Sequence, residues 1–373
     1  MTGVLQSDYY QYQDAGERDH FIFTQTLRGQ LAPEFWRGWR AEFLGELRDS
    51  NDPYPGSGGD RLLGLSFAGD LGPLSLAFGR IASRVPGPSL LDGIQASLHA
   101  GGTRRITIAA GREVYPIYRS TSSYLPERYR AGGLLEGSLF LNRTKWQIEH
   151  VARFLSDELD DQTTALSLRC RRFTQFGGDA RINFDWEASA PRELALGIRY
   201  FPLPLLRLEA RYSERRIRIY QSSFLSQYEL KPTKIASLKA RCQIGEDWLW
   251  LSLGYARRPR SVGDLDRISA SIESDYGELG LRWQGGTDMN QIGGWLDAYG
   301  RITDRLSWSV ALDFDRWDSA WDAEAVEAWA NEASLAYELS PEATMEGRIE
   351  HFRDDYVRSD VRGWLTFKLR YGL

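Results

Sequence analysis

The chain has 373 residues, a formal charge of −5 and 26% charged residues, a balance that leaves no electrostatic footprint for nucleic acid. Its two cysteines, Cys170 and Cys242, stand far apart with no CxxC or CxxCH, which excludes a zinc ribbon and covalently attached haem within this chain. No run approaches the roughly 20 apolar residues of a membrane-crossing helix, and Trp248-Leu249-Trp250-Leu251, the most apolar stretch, is far too short.

Period-two alternation is the dominant pattern, as in strands with one apolar and one polar face. At the start, Leu5, Ser7, Tyr9 and Gln11 oppose Gln6, Asp8, Tyr10 and Tyr12, the weakest pattern in the chain. The first residues, Met1-Thr2-Gly3-Val4, show no basic segment followed by an apolar one. A secreted barrel would then have lost its signal peptide, with Met1 a leftover or added residue. Next, Ala41, Phe43, Gly45 and Leu47 alternate with Arg40, Glu42, Glu46 and Arg48. Ala180, Ile182, Phe184, Trp186 and Ala188 alternate with Arg181, Asn183, Asp185 and Glu187. Leu206, Leu208, Ala210 and Tyr212 alternate with Arg207, Glu209 and Arg211. Leu306, Trp308, Val310, Leu312 and Phe314 alternate with Ser307, Ser309, Asp313 and Asp315. Each apolar face spans about ten residues, the length of a tilted strand crossing a bilayer.

Sandwiches and propellers alternate too, so the punctuation decides. Tight connections fall at Leu71-Gly72-Pro73, Gly101-Gly102, Asn142-Arg143-Thr144, Gly245-Glu246-Asp247, Tyr276-Gly277, Thr303-Asp304 and Ser340-Pro341-Glu342. Longer ones lie between them, at 49–60, 84–91, 113–127, 221–232, 257–266, 285–293, 317–325 and 353–360. This rhythm predicts an up-and-down antiparallel barrel with short periplasmic turns and longer extracellular loops. The segments add up to about 22 strands, with 20 as the other even solution, in a single domain over residues 1–373 of which 1–19 form the first strand and loop. Aromatics near strand ends, Trp36, Trp39, Tyr200, Phe201, Tyr212, Tyr255, Trp283, Trp317 and Tyr371, read as interfacial girdles.

The last segment begins at Gly363 and carries Leu365, Phe367, Leu369, Tyr371 and Leu373 on one face. It resembles the C-terminal strand by which outer-membrane barrels are recognised for assembly, although that strand most often ends in Phe. The resemblance implies the bacterial outer membrane as location, its lipid as surroundings, and the barrel-assembly machinery as a partner. Phe78-Gly79-Arg80 followed by Asp92-Gly93-Ile94 also resembles porin-like proteins, in which a lumenal arginine and a turn glycine recur.

With the apolar faces on lipid, the polar faces line the bore. The expected lumenal residues are Arg40, Glu42, Glu46, Arg169, Arg171, Asp185, Glu187, Arg207, Glu209, Arg211, Lys239, Arg241, Asp313, Asp315, Lys368 and Arg370. Both signs interleave along the strands, so strong ion selectivity is not expected and most charges are expected to pair across strands. A barrel of about 22 strands is normally plugged. Here no segment precedes the first strand to serve as a plug, and no loop exceeds roughly 15 residues, too little to fold deep into the pore.

This architecture resembles the porin component of porin–cytochrome conduits, in which a large barrel sheathes a multihaem cytochrome and carries electrons across the outer membrane. The haem would belong to that partner. The alternatives are a passive porin or an export channel, for a polysaccharide for instance, and a soluble carbohydrate-active β protein. No catalytic set or metal site stands out: His20, His99, His150 and His351 are scattered without HExxH spacing, so each reads as structural or lumenal. Asp313 and Asp315 could form an acid pair for glycoside hydrolysis, but they alternate like every other strand face. Pro55 to Gly59 lacks the following helix and Lys-Ser/Thr of a phosphate cradle. Cys170 and Cys242 fall on apolar faces four strands apart, too distant for a disulfide, and are expected to be unreactive thiols.

Overall fold

The computed structural model describes residues 2–13, 18–36, 38–51, 61–83, 85, 89–114, 127–140, 142–173, 175–216, 231–245, 248–260, 263–287, 289–319, 325–354 and 359–372. The Pro55 to Gly59 loop, Glu246-Asp247 and Leu373 lie outside them. The meander opens with β1 (Thr2–Gln13), β2 (Asp19–Leu31), β3 (Trp39–Ser50), β4 (Arg61–Leu71), β5 (Leu74–Ser83) and β6 (Ser89–His99). It continues through β7 (Arg105–Glu113), β8 (Arg128–Leu139), β9 (Thr144–Leu155), β10 (Glu158–Phe173) and β11 (Phe176–Asp185). Then come β12 (Ala190–Leu203), β13 (Leu206–Arg215), β14 (Thr233–Gln243), β15 (Leu249–Arg258), β16 (Leu265–Ser274) and β17 (Gly277–Gly286). The last five are β18 (Met289–Thr303), β19 (Leu306–Ser319), β20 (Val326–Ser340), β21 (Ala343–Asp354) and β22 (Asp360–Gly372).

Each strand pairs antiparallel with its chain neighbours, and β1 pairs with β22, so a 22-stranded sheet closes on itself. The weakly patterned first strand is therefore the closing strand. It is in register with β2 from Thr2↔Gln30 to Gln13↔Asp19 and with β22 from Thr2↔Gly372 to Gln11↔Gly363. Closure removes both sheet edges, which in lipid would strand unpaired backbone groups. A spacing of ~4.8 Å between strands tilted by roughly 40° gives a backbone diameter of about 44 Å.

Register fixes the two faces, because residues directly opposite each other point the same way. One face carries Ile108, Leu279 and Leu281, which are 59%, 57% and 67% exposed. The other carries Ser252 and Ser271, at 4% and 7%. In a closed sheet the convex side is open and the concave side crowded, so the apolar face points outward. The rhythm of connections holds with three exceptions at the long-loop end. Ser156 and Asp157 (φ 49° and 73°) form a two-residue hairpin turn between β9 and β10, both φ positive as a type I′ turn requires. The β11–β12 connection is a tight turn at 186–189. Strands β17 and β18 extend into what the sequence suggested was a longer loop, and leave only residues 287–288 between them. A 3-10 helix, Glu34–Trp36, caps the β2–β3 connection at the other end.

Candidate functional site

The inward face is the surface on which a conduit acts. Arg40 reaches Glu42 at 2.8 Å, and Glu46 follows on the same side of β3. Arg207 and Arg211 share Glu209, at 2.6 and 3.4 Å. Arg241 pairs with Glu273 at 2.9 Å and lies over the Trp250 ring, 4.7 Å from its centroid. Arg282 clamps Asp313 and Asp315, each at 2.5 Å. Lys239 stands opposite Glu209 without an ion pair, while Lys368 and Arg370 sit inward on β22. Arg169 and Arg171 line a cavity described below.

Asp185 ends β11 and binds Arg192 at 2.5 Å, which also reaches Asp161 at 2.6 Å. Glu187, expected on the lumenal strand face, instead lies in the turn beyond β11, where its N–H donates to Asp185 Oδ1 at 3.1 Å. The alternation ran through a turn that the sequence did not flag. Three further residues are placed by register. Arg80 shares the face of Phe78, and Asp92 that of Ile94, so this pair points outward and is not lumenal. Trp317, opposite Val326 and Gln291, points inward and belongs to no outer girdle. His150 is on the outward face, bonded to Thr164 and Gln162, and His351 shares that face with Asn331.

Two features escaped the sequence reading. On the inner wall near the long-loop end, Ile81, Leu91, Ala109 and Leu134 form a buried apolar cluster with Val85 from the β5–β6 connection. Inward apolar residues at Ile81 and Leu91 break the alternation, and that break was the available signal. Beside the cluster, Glu113 binds Arg130 and Arg153, all three nearly buried.

The second feature is how charge is distributed around the ring. Signs alternate along many strands, yet at several positions like charges stand side by side. Lys145 faces Arg169 directly, and Arg207 faces Arg241. Further on, Glu273 faces Glu278, which faces Asp297 on its other side. Glu338 and Glu346 add acidic residues on β20 and β21. Like charges directly opposite are destabilising, so sheet stability does not account for these positions. The basic pairs lie on β9, β10, β13 and β14 and the acidic residues on β16 to β21, with Arg301 on β18 and Lys368 and Arg370 on β22 also on the inner face at the short-turn end.

A cavity of about 790 Å³ is set into the inner wall, lined among others by Arg105, Glu136, Lys145, Arg169, Arg171 and Asp179. Among the described residues, no group of three or more His, Cys, Asp or Glu converges as a metal site.

No protein-family model matches the sequence, and no curated protein matches it. Among solved structures, the chain is similar to a mutant of the ferric enterobactin receptor (PfeA) from Pseudomonas aeruginosa, with a TM-score of 0.61 at 8% identity over 99% of this chain and 80% of that one. The P pilus usher (PapC) translocation pore aligns over 100% of this chain and 99% of that one, with a TM-score of 0.48 at 9% identity. Pseudomonas aeruginosa OccK5 (OpdH) aligns over 100% and 98%, with a TM-score of 0.47 at 10% identity. At these identities it is the fold that is shared. The chain is a 22-stranded closed antiparallel barrel whose fold is similar to that of the ferric enterobactin receptor.

Proposed function

We propose that the chain forms the wall of a wide hydrophilic conduit through an outer membrane, and that its bore holds a charged guest. The guest we infer is a multihaem c-type cytochrome that carries electrons across the membrane, its haems bound by the guest and not by this chain. The observation that supports this reading is the clustering of like charge on the bore wall. Clusters of like charge, such as Lys145 with Arg169 and Glu273 with Glu278 and Asp297, would orient a folded partner with complementary patches. A backbone diameter of about 44 Å leaves room for such a partner. The C-terminal strand would be the address read by the barrel-assembly machinery.

The test is gentle purification from native outer membranes. Co-elution of a haem protein, seen in the Soret band, supports the sheath. A colourless, monomeric barrel of high single-channel conductance would replace it with a passive channel. That second reading draws on the cavity in the inner wall, whose size suits a small solute.

A further inference from the structure

Lys145 and Arg169 stand directly opposite each other on β9 and β10, and Arg171 follows along the same wall. All three line the 790 Å³ cavity. Its other charges are committed: Arg105 pairs with Glu136, Arg181 with Glu193 at 3.2 Å, and Asp179, opposite Arg169 on β11, is held by Arg199 at 3.6 Å. Among the described residues, Lys145, Arg169 and Arg171 form no ion pair. Three cations are thus gathered in one concavity whose two carboxylates, Glu136 and Asp179, pair with other arginines.

We propose that this cavity binds a small polyanion bearing phosphate or carboxylate groups, held between Lys145, Arg169 and Arg171. Residues directly opposite on a ladder place their Cβ atoms about 5 Å apart, a span that two oxyanion groups of one molecule can bridge. The arginine fork accepts such a group through two hydrogen bonds, while lysine contributes a point charge. The Asn142 amide and the Ser167 hydroxyl, on the same lining, offer neutral donors to the remaining oxygens. This inference rests on the inward face being a solvent-filled conduit and names a solute class for it.

Calorimetric titration of the folded, detergent-solubilised barrel with inorganic pyrophosphate, and separately with citrate, tests the proposal. At least one anion should bind at a single site that weakens with salt. In the Lys145→Gln/Arg169→Gln variant the affinity should fall by about tenfold or more, as expected for lost charge-assisted hydrogen bonds. Lys145→Arg and Glu346→Gln should retain binding, and heat-modifiable migration shows whether each variant is folded. Preference for pyrophosphate or citrate separates phosphate from carboxylate recognition. Absence of heat with both anions, or undiminished binding in the folded double variant, would overturn the proposal. The titration requires no conductance, so a barrel that binds the anion but passes no current would sink the conduit reading alone.

Discussion

Arg80 and Asp92 grip each other through two hydrogen bonds, Nε to Oδ1 at 2.7 Å and Nη2 to Oδ2 at 2.8 Å, on the outward face of β5 and β6. The flanking outward residues, Phe78 and Ile94, are 46% and 65% exposed. A bidentate pair is therefore set at the edge of the lipid-facing band. Other outward ion pairs, Lys234–Glu214, Arg257–Asp264 and Arg316–Glu327, gather at the same long-loop end. Asp92→Ala would remove the bidentate partner of Arg80 at the edge of the lipid-facing band and should destabilise the barrel by roughly 1–3 kcal/mol, between the interfacial and midplane costs of an arginine facing lipid. Urea unfolding in lipid vesicles measures this. The double variant Arg80→Leu/Asp92→Leu should recover most of the loss, because neither charge then faces lipid. A double variant as unstable as Asp92→Ala would refute the account.

The bore wall makes a separate prediction about ion selectivity. Neutralising Glu278, Asp297 and Glu346 together should shift the reversal potential in a salt gradient toward anions. Neutralising Arg211 and Lys239 should shift it toward cations. Charges on a wide wall are screened within about 10 Å at ordinary ionic strength, so each shift should be near twofold in permeability ratio and larger in dilute salt. Shifts in the same direction for both sets would contradict the placement of these residues on the bore wall.

The cysteines give a third. Cys170 shares the face of Leu168 and Leu166, and Cys242 that of Leu206 and Leu251. Both are free and half-buried, on β10 and β14. In intact vesicles a membrane-permeant maleimide should label them slowly and a charged one not at all, and denaturation should release two thiols per chain. Mass spectrometry reads the count. Fewer than two thiols in the unreduced, denatured protein would mean that a disulfide had formed.

The fold was legible because each strand repeats its period within ten or so residues and needs no distant information. Strand number and the inward position of Arg207, Glu209 and Arg211 followed from that period and from turn spacing. What alternation along one strand cannot reveal is who stands beside whom on the next. Lys145 sits just after a turn and drew no notice, yet register sets it against Arg169. Glu278 and Asp297 likewise become a pair only when β17 and β18 are aligned. The Phe78-Gly79-Arg80 resemblance suggested a lumenal arginine, whereas the parity of Arg80 with Phe78 places it outward.

The seam between β1 and β22 carries the last prediction. Gly3 lies directly opposite Tyr371, and the Tyr371 ring lies over it in the space that a Cβ on Gly3 would occupy. The Arg28 carbonyl oxygen closes the same space at 2.7 Å. An aromatic ring covering a cross-strand glycine shields backbone that lacks a side chain of its own. Here it does so at the junction that converts an open sheet into a barrel. Gly3→Val should therefore cost roughly 1–3 kcal/mol through overpacking and slow closure. Tyr371→Ala should uncover the seam at a smaller cost. In the double variant the valine no longer meets the ring but still meets the Arg28 carbonyl, so the two effects should be less than additive and recovery only partial. The fraction of heat-modifiable barrel formed on refolding into vesicles is the readout. Strict additivity would mean that the ring and the glycine are not coupled, and that closure is held by the backbone ladder alone.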